Sequence, residues 1–432
     1  MNAAARLDAI PIGAFHRRLL LLIGAGMFFD SFDIYLGGSV LGALVKSGWS
    51  SIALNAQFIS WTFIGMLIGA AGAGWLGDKY GRKFTYQFNL GIFGLASLAA
   101  AAAPSMTWLI VARFFGGVGL GAEIVIGYGT MIEFTPPAKR GRWAALLSFV
   151  TNFGLFASTL AGWLIIPSFG WRWMFVIAGI GAFVVLWLRK AIPESPRWLE
   201  AQGRVTEAEA IVAAIEAECG HTSAPVAVAV PPQVQSLGSL WPRLLLGSLM
   251  HIAIGVAIYG FVAWVPTFLV QRGMGISQSL GQSMLMSMGG PAGAFLGFLL
   301  SDRIGRKPAV VGASLLAAGC GVLFATAGSQ AMAVVFGFLI FTLIYFLVAI
   351  MIAGYVPELF PTALRMRGNG VCNTVGRLTT IFVPYAVVAL YAWGGVTAVL
   401  FGVEGTLIVL ALAVGIFGVE TSRRSLEQIA AI

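Results

Sequence analysis

Six charged residues interrupt stretches of the chain that are otherwise apolar: Asp30, Asp33, Arg113, Glu123, Arg377 and Glu404. A charge near the centre of a bilayer is expensive, so each of these marks a candidate site and calls for a partner. Asp30 and Asp33 are three apart and lie near one face of a helix. Two close carboxylates in a low dielectric do not both ionise cheaply, which is the property a proton-coupling site needs. At about 1.5 Å per helical residue, Asp30 lies ~18 Å beyond Arg18 and Glu123 lies ~15 Å from the end of its own segment, levels that meet near mid-membrane. The same count puts Asp33 and Arg113 each ~10 Å from the opposite surface, placed for an ion pair that protonation breaks. The alternative is a static Asp33–Arg113 pair beside a neutral Asp30 that bonds to backbone.

Arg377 sits ~15 Å into its segment, counted from Arg367, and no acid lies near it there. A guanidinium offers a planar fork that matches a carboxylate, so an anionic substrate would neutralise it well. Pairing with Asp30 or Glu123 across a cavity is the other reading, and the two can take turns on one arginine. The counterpart of Arg377 at the repeat offset described below is Asn152. Tyr259, Trp264, Tyr345, Gln57 and Trp61 could complete a substrate pocket, although such side chains more often belong to the lipid belt or the core. No role follows for Glu404. The glycines from Gly116 to Gly129 have the spacing of a nucleotide loop but no strand before them, and their small size suits close helix approach instead. Cys219, Cys320 and Cys372 are far apart and read as reduced structural thiols. No metal-ligand spacing, His/Cys cluster or nucleophile elbow appears, so neither a metal site nor an enzyme is expected, and a proton gradient would be the energy source in place of a cofactor.

The elements that must carry these residues follow from composition. Of 432 residues, 59% are hydrophobic and 10% charged, against roughly 45–50% and ~25% in soluble domains. A span takes about 20 apolar residues, and the chain accommodates twelve, from Leu19–Leu44 to Val396–Val419. The net charge of +9 does not indicate nucleic acid, because the cations sit in short connectors. Alternate connectors hold Lys79, Arg82 and Lys83, then Lys139, Arg140 and Arg142, then Arg303, Arg306 and Lys307, then Arg365 and Arg367; the opposite ones hold Lys46, Arg172 and Arg272. The positive-inside rule places both termini in the cytoplasm, which requires an even number of spans. The first apolar run is too long for a signal peptide and lacks a cleavage site, so it is expected to be retained.

Leu76-Gly-Asp-Lys-Tyr-Gly-Arg-Lys83 recurs as Leu300-Ser-Asp-Arg-Ile-Gly-Arg-Lys307, and Glu133-Phe-Thr-Pro-Pro-Ala-Lys-Arg140 recurs as Glu358-Leu-Phe-Pro-Thr-Ala-Leu-Arg365, both at an offset of about 224 residues. Two motifs at one offset predict an all-α membrane protein of twelve transmembrane helices in two pseudo-symmetric six-helix halves. The halves are residues 1–189 and 244–432, joined by a cytoplasmic linker, 190–243, with a surface helix over Thr206–Cys219.

On these residues the chain resembles the major facilitator superfamily over nearly its whole length. Glu133 to Arg142, Pro193-Glu-Ser-Pro-Arg197 and Pro357 to Arg367 are similar to the sugar-porter and organic-ion-porter pattern. Asp30-Ser-Phe-Asp33 and Arg113-Phe-Phe-Gly-Gly-Val-Gly-Leu-Gly121 resemble aromatic-acid/proton symporters and nicotinate-type carriers, with Ser31 in place of that branch's glycine. The resemblance implies a cytoplasmic gate of cross-half ion pairs drawn from Asp78, Arg82, Glu133, Arg140, Arg142, Asp302, Arg306, Glu358, Arg365 and Arg367; the alternative is that these are surface topology charges. It also implies that the seventh helix, with Tyr259 and Trp264, lines a central cavity.

The expected activity is proton-coupled symport of a small organic anion, an aromatic or heteroaromatic carboxylate, by a monomer in the inner membrane. A sugar or polyol proton symporter and a metabolite or drug proton antiporter are the alternatives, and Arg377 discriminates because a neutral sugar has little need of it. A membrane receptor that binds without transport is a third class, disfavoured by the lack of an appended signalling domain.

Overall fold

The computed structural model describes residues 3–136, 139–220, 240–360 and 365–421, and they are almost entirely helical. In chain order the α-helices are α1 (Ala3–Ala9), α2 (Ala14–Lys46), α3 (Ile52–Tyr80), α4 (Arg82–Ala101), α5 (Met106–Phe134), α6 (Arg140–Phe169), α7 (Arg172–Leu188), α8 (Pro196–Ala201) and α9 (Val205–Cys219). There follow α10 (Trp241–Gly260), α11 (Val265–Gln271), α12 (Ile276–Ser287), α13 (Gly289–Ile304), α14 (Arg306–Ala325), α15 (Gln330–Ile350), α16 (Val356–Glu358) and α17 (Arg365–Phe417). Nine helical stretches among the described residues are long and apolar enough to cross a membrane. One of them covers two expected spans, because α17 breaks at Gly394 and Gly395, the latter at φ 65°. The remaining expected spans fall on α4 and on α12 with α13, so the arrangement is consistent with twelve.

The breaks have local causes. The seventh span is interrupted between α10 and α11, where Phe261 leaves helical geometry and Pro266 enters α11 in its first turn. α15 runs into a π-helical turn, Met351–Tyr355, before α16. Ser105 caps α5 by accepting from the Trp108 amide, and Ser329 caps α15 by accepting from the Met332 amide, so the repeat extends to helix starts. It extends to packing as well. A Cβ on Gly65 or Gly69 of α3 would strike the backbone of Phe114 or Val118 in α5, and one on Gly289 or Gly293 of α13 would strike Phe338 or Thr342 in α15. Glycine lets these backbones approach within a bilayer that supplies little hydrophobic drive for association.

The chain divides into two compact units. The first comprises Met1–Asp33, Ile64–Gly154 and Phe175–Val230. Its end near the N-terminus is closed by a cluster in which Leu7, Ile10 and Phe15 meet Ile192, Leu199, Val212 and Ile215. Arg6 pairs with Glu216 at 2.5 Å and Arg197 with Asp8 at 2.6 Å, fastening α1 to α8 and α9. The expected surface helix is therefore present as α9, starting one residue earlier. The second unit comprises Ile34–Phe63, Leu155–Met174 and Pro231–Ile432. In it the Tyr345 hydroxyl donates to Tyr35 at 2.6 Å, Ser60 donates to the Ile381 carbonyl at 2.7 Å, and the Thr159 and Ser287 hydroxyls are 2.6 Å apart.

Candidate functional site

The first unit gathers the acidic residues of α2 with those of α5. Arg113 donates to Asp33 at 2.5 Å, both are buried, and the guanidinium lies over the Phe175 ring. Asp30, one turn away on α2, is 2% exposed, and neither of its oxygens has a hydrogen-bond partner. Glu123 is equally buried and pairs with Arg189. Arg189 also donates to the Leu22 carbonyl at 3.1 Å and the Ile23 carbonyl at 3.0 Å, and its guanidinium lies 4.5 Å from the centre of the Tyr86 ring.

Sequence reasoning missed Arg189 because it follows the last apolar residue of α7 and counts there as a connector cation. The signal available was Glu123 itself, a membrane acid whose one named base was the distant Arg377, and Arg189 is the cation that directly continues the apolar run Val184–Leu188. Tyr86 went unremarked for a similar reason, since a single tyrosine in a span is ordinary.

At the end of this unit that carries the N-terminus, Arg82 bonds both Asp78 at 2.9 Å and Glu133 at 3.3 Å. Glu194 accepts from the backbone amides of Arg82 at 2.8 Å, Lys83 at 3.2 Å and Ser195 at 2.9 Å, so a carboxylate caps the start of α4. The second unit repeats this arrangement. Arg306 pairs with Glu358 at 3.1 Å, the Thr421 hydroxyl donates to Glu358 at 2.5 Å, and Glu420 accepts from the amides of Arg306 at 3.0 Å and Lys307 at 3.1 Å. Glu194 and Glu420 were absent from the expected gate. Their signal was a third repeat, Pro193-Glu-Ser-Pro-Arg197 against Val419-Glu-Thr-Ser-Arg423, at nearly the offset of the other two. The side chains of Arg140, Arg142, Asp302 and Arg365 lie outside the described residues, and Arg367 is exposed.

In the second unit Arg377 is half-buried on α17. Its Nε donates to the Asn373 amide oxygen at 3.0 Å. Among the described residues no carboxylate forms a salt bridge with it. Tyr259 of α10 lies within electrostatic reach and packs edge-on against Phe63, ring centres 4.3 Å apart. His251, about two helix turns further back along α10, donates from Nδ1 to the Gly247 carbonyl at 3.0 Å and abuts Gly376, a neighbour that the sequence did not single out. Trp264 is buried against Phe268 with no partner for its indole N–H. Tyr345 is engaged with Tyr35, Gln57 and Trp61 are exposed, and Asn152 in the first unit is half-buried and donates to Ser148 at 3.4 Å. Glu404 is buried against Gly321, and its Oε1 has no hydrogen-bond partner.

The Major Facilitator Superfamily model matches residues 23–384 of the chain. The chain belongs to that superfamily. It is 35% identical over 450 residues to the inner membrane metabolite transport protein YdjE of Escherichia coli strain K12, covering 99% of this chain and 98% of the relative. It is 32% identical over 443 residues to the niacin transporter NiaP of Acinetobacter baylyi, covering 99% of this chain and all of that one. Among solved structures it is similar to the xylose transporter XylE from E. coli in a partially occluded inward-open conformation, with TM-score 0.74, 19% identity, and coverage of 95% of this chain and 100% of the other. This superfamily member is a multi-pass membrane transporter of small molecules and not an enzyme.

Proposed function

We propose that the protein is a proton-coupled symporter of a small organic anion, a heteroaromatic monocarboxylate above all, working by alternating access as a monomer in the inner membrane with both termini cytoplasmic. One observation carries the anion: Arg377 is a guanidinium within an apolar helix whose hydrogen-bond partner is a neutral amide. A cation so placed is best neutralised by a ligand that brings its own carboxylate. Tyr259, within electrostatic reach of it, and Phe63 packed on that ring supply aromatic surface for the substrate. A relative of like length that is named a niacin transporter supports the same substrate class. The buried acids Asp30, Asp33 and Glu123, with Arg113 holding Asp33, supply the proton-handling groups.

In the cycle, residues 1–189 and 244–432 act as the two moving halves and residues 190–243 as their tether. The protein takes a proton, binds the carboxylate at Arg377, and releases both to the cytoplasm as the charge network around Arg82 and Arg306 opens. The proton gradient is the only energy source required. Uptake of labelled nicotinate into proteoliposomes under an imposed inward proton gradient tests this, with xylose as the neutral competitor. Uptake should rise with the gradient, and Arg377→Gln should raise KM for nicotinate more than tenfold while leaving the melting temperature in place. Gradient-independent nicotinate uptake, or xylose transport untouched by Arg377→Gln, overturns the proposal.

A further inference from the structure

Among the described residues, α2 and α5 of the first unit bury three carboxyls, Asp30, Asp33 and Glu123, against two guanidiniums, Arg113 and Arg189. Both guanidiniums are committed, Arg113 to Asp33 and Arg189 to Glu123. The charged groups acting on Asp30 are Glu123, Arg189 and Asp33, and the neutral Tyr86 phenol is also near. A region this deeply buried is tolerable only close to zero net charge. Two cations balance two carboxylates, so the third carboxyl carries a proton.

We infer that Asp30, Glu123 and Arg189 form a site for one proton, reached from the N-terminal side of the membrane through a cleft beside Tyr86 and Thr130. The inference rests on the proton-coupled reading above and deepens it.

Gly26 lies one turn before Asp30 on α2, and a Cβ there would press into the Arg189 guanidinium and within 2.9 Å of Glu123 Oε1. The Glu123–Arg189 pair therefore lies against the α2 stripe that carries Asp30, since residues four apart share a helix face. Arg189 is anchored on the Leu22 and Ile23 carbonyls, and Glu123 Oε2 has no partner. When the proton passes from Asp30 to Glu123, one O–H bond breaks and another forms. The carboxylate moves from Glu123 to Asp30, and Arg189 turns to the new carboxylate with the net charge unchanged. The cleft leading outward has a volume of about 10 Å³, and half-exposed Arg82, Lys83 and Gln87 line it with buried Tyr86, Thr130 and Arg189. That is room for about one water against the Arg189 guanidinium, which in turn holds the Glu123 carboxyl.

The test needs no substrate. Infrared difference spectra recorded on pH steps with purified protein in lipid bilayers count buried protonated carboxyls, using a Glu404→Gln background to remove a buried carboxyl outside the cluster that has no ion-pair partner among the described residues. One carboxyl band is expected, absent in Asp30→Asn. Glu123→Gln leaves two guanidiniums facing two carboxylates, so the band should vanish although Asp30 is intact. Arg189→Gln should double it, and Glu123→Gln/Arg189→Gln should restore a single band. A band that persists undiminished in Glu123→Gln, or the lack of any band in the background protein, overturns the proton count. Thr130→Val should slow hydrogen–deuterium exchange of the band several-fold, and an unchanged rate overturns the route. Nicotinate transport can fail with every one of these spectral results intact, so the two proposals are separable.

Discussion

Arg113 and Arg377 are both guanidiniums inside apolar helices, yet one is saturated by a carboxylate and the other is bonded to an amide. The distinction sets opposite expectations for their loss. Arg113→Gln leaves Asp33 buried without its cation, and breaking a buried pair on one side typically costs about 3–5 kcal/mol. The melting temperature should therefore fall sharply in Arg113→Gln, and the double variant Asp33→Asn/Arg113→Gln should recover most of the loss. Recovery matters more than the fall, because it separates a charge effect from lost packing. The sequence showed which residues were charged inside spans, and counting along two helices sufficed to join Asp33 to Arg113. It did not show Arg189, because a cation at the end of an apolar run and one folded back into the protein have the same local pattern. What decides between them is the tertiary position of Glu123, which no window of sequence contains.

Among the elements, the turns between α3 and α4 and between α13 and α14 are the most constrained. Gly81 has φ 93° and Gly305 φ 92°, and each is followed by a helix whose first amides are taken by a glutamate from a distant part of the chain. An L side chain at either turn enters a backbone region occupied almost only by glycine, at a cost of about 1–3 kcal/mol. In the first turn the added Cβ would also lie 2.9 Å from the Glu194 carboxyl carbon. Gly81→Ala and Glu194→Gln should both lower the melting temperature, the second by the weaker loss of a charged helix cap, about 0.5–2 kcal/mol. Gly305→Ala and Glu420→Gln should do the same in the second unit, and a scan of all four by thermal unfolding checks the symmetry. The helices themselves were readable from hydropathy alone, and α9 from its helical alternation of Ala, Ile and Val with Glu. The breaks at Phe261, Met288 and Met351 were not, since apolar runs look alike whether straight or kinked.

At the scale of the whole molecule, helix ends from the first half of the sequence are built into the second unit through the Tyr35–Tyr345, Ser60–Ile381 and Thr159–Ser287 bonds. Removing one neutral hydrogen bond is worth about 0.5–1.5 kcal/mol, enough to shift a conformational equilibrium several-fold. Tyr345→Phe should accordingly speed thiol labelling of a cysteine placed at Ser39, which lines the small cavity beside Tyr35, in a background without the three native cysteines. Unaltered labelling would show that the bond does not restrain opening. The repeat makes the twelve-segment plan visible in the sequence, whereas these joints depend on pairs of residues more than a hundred positions apart. The buried Glu123–Arg189 pair has one more consequence, for how the chain is made. As α7 leaves the translocon, Arg189 just beyond its end has no reason to sink below the lipid head groups until α5 stands beside it. The sixth segment therefore settles to its final depth only when the fourth is already in place, and biogenesis of this half ends with a docking step rather than with the exit of its last helix.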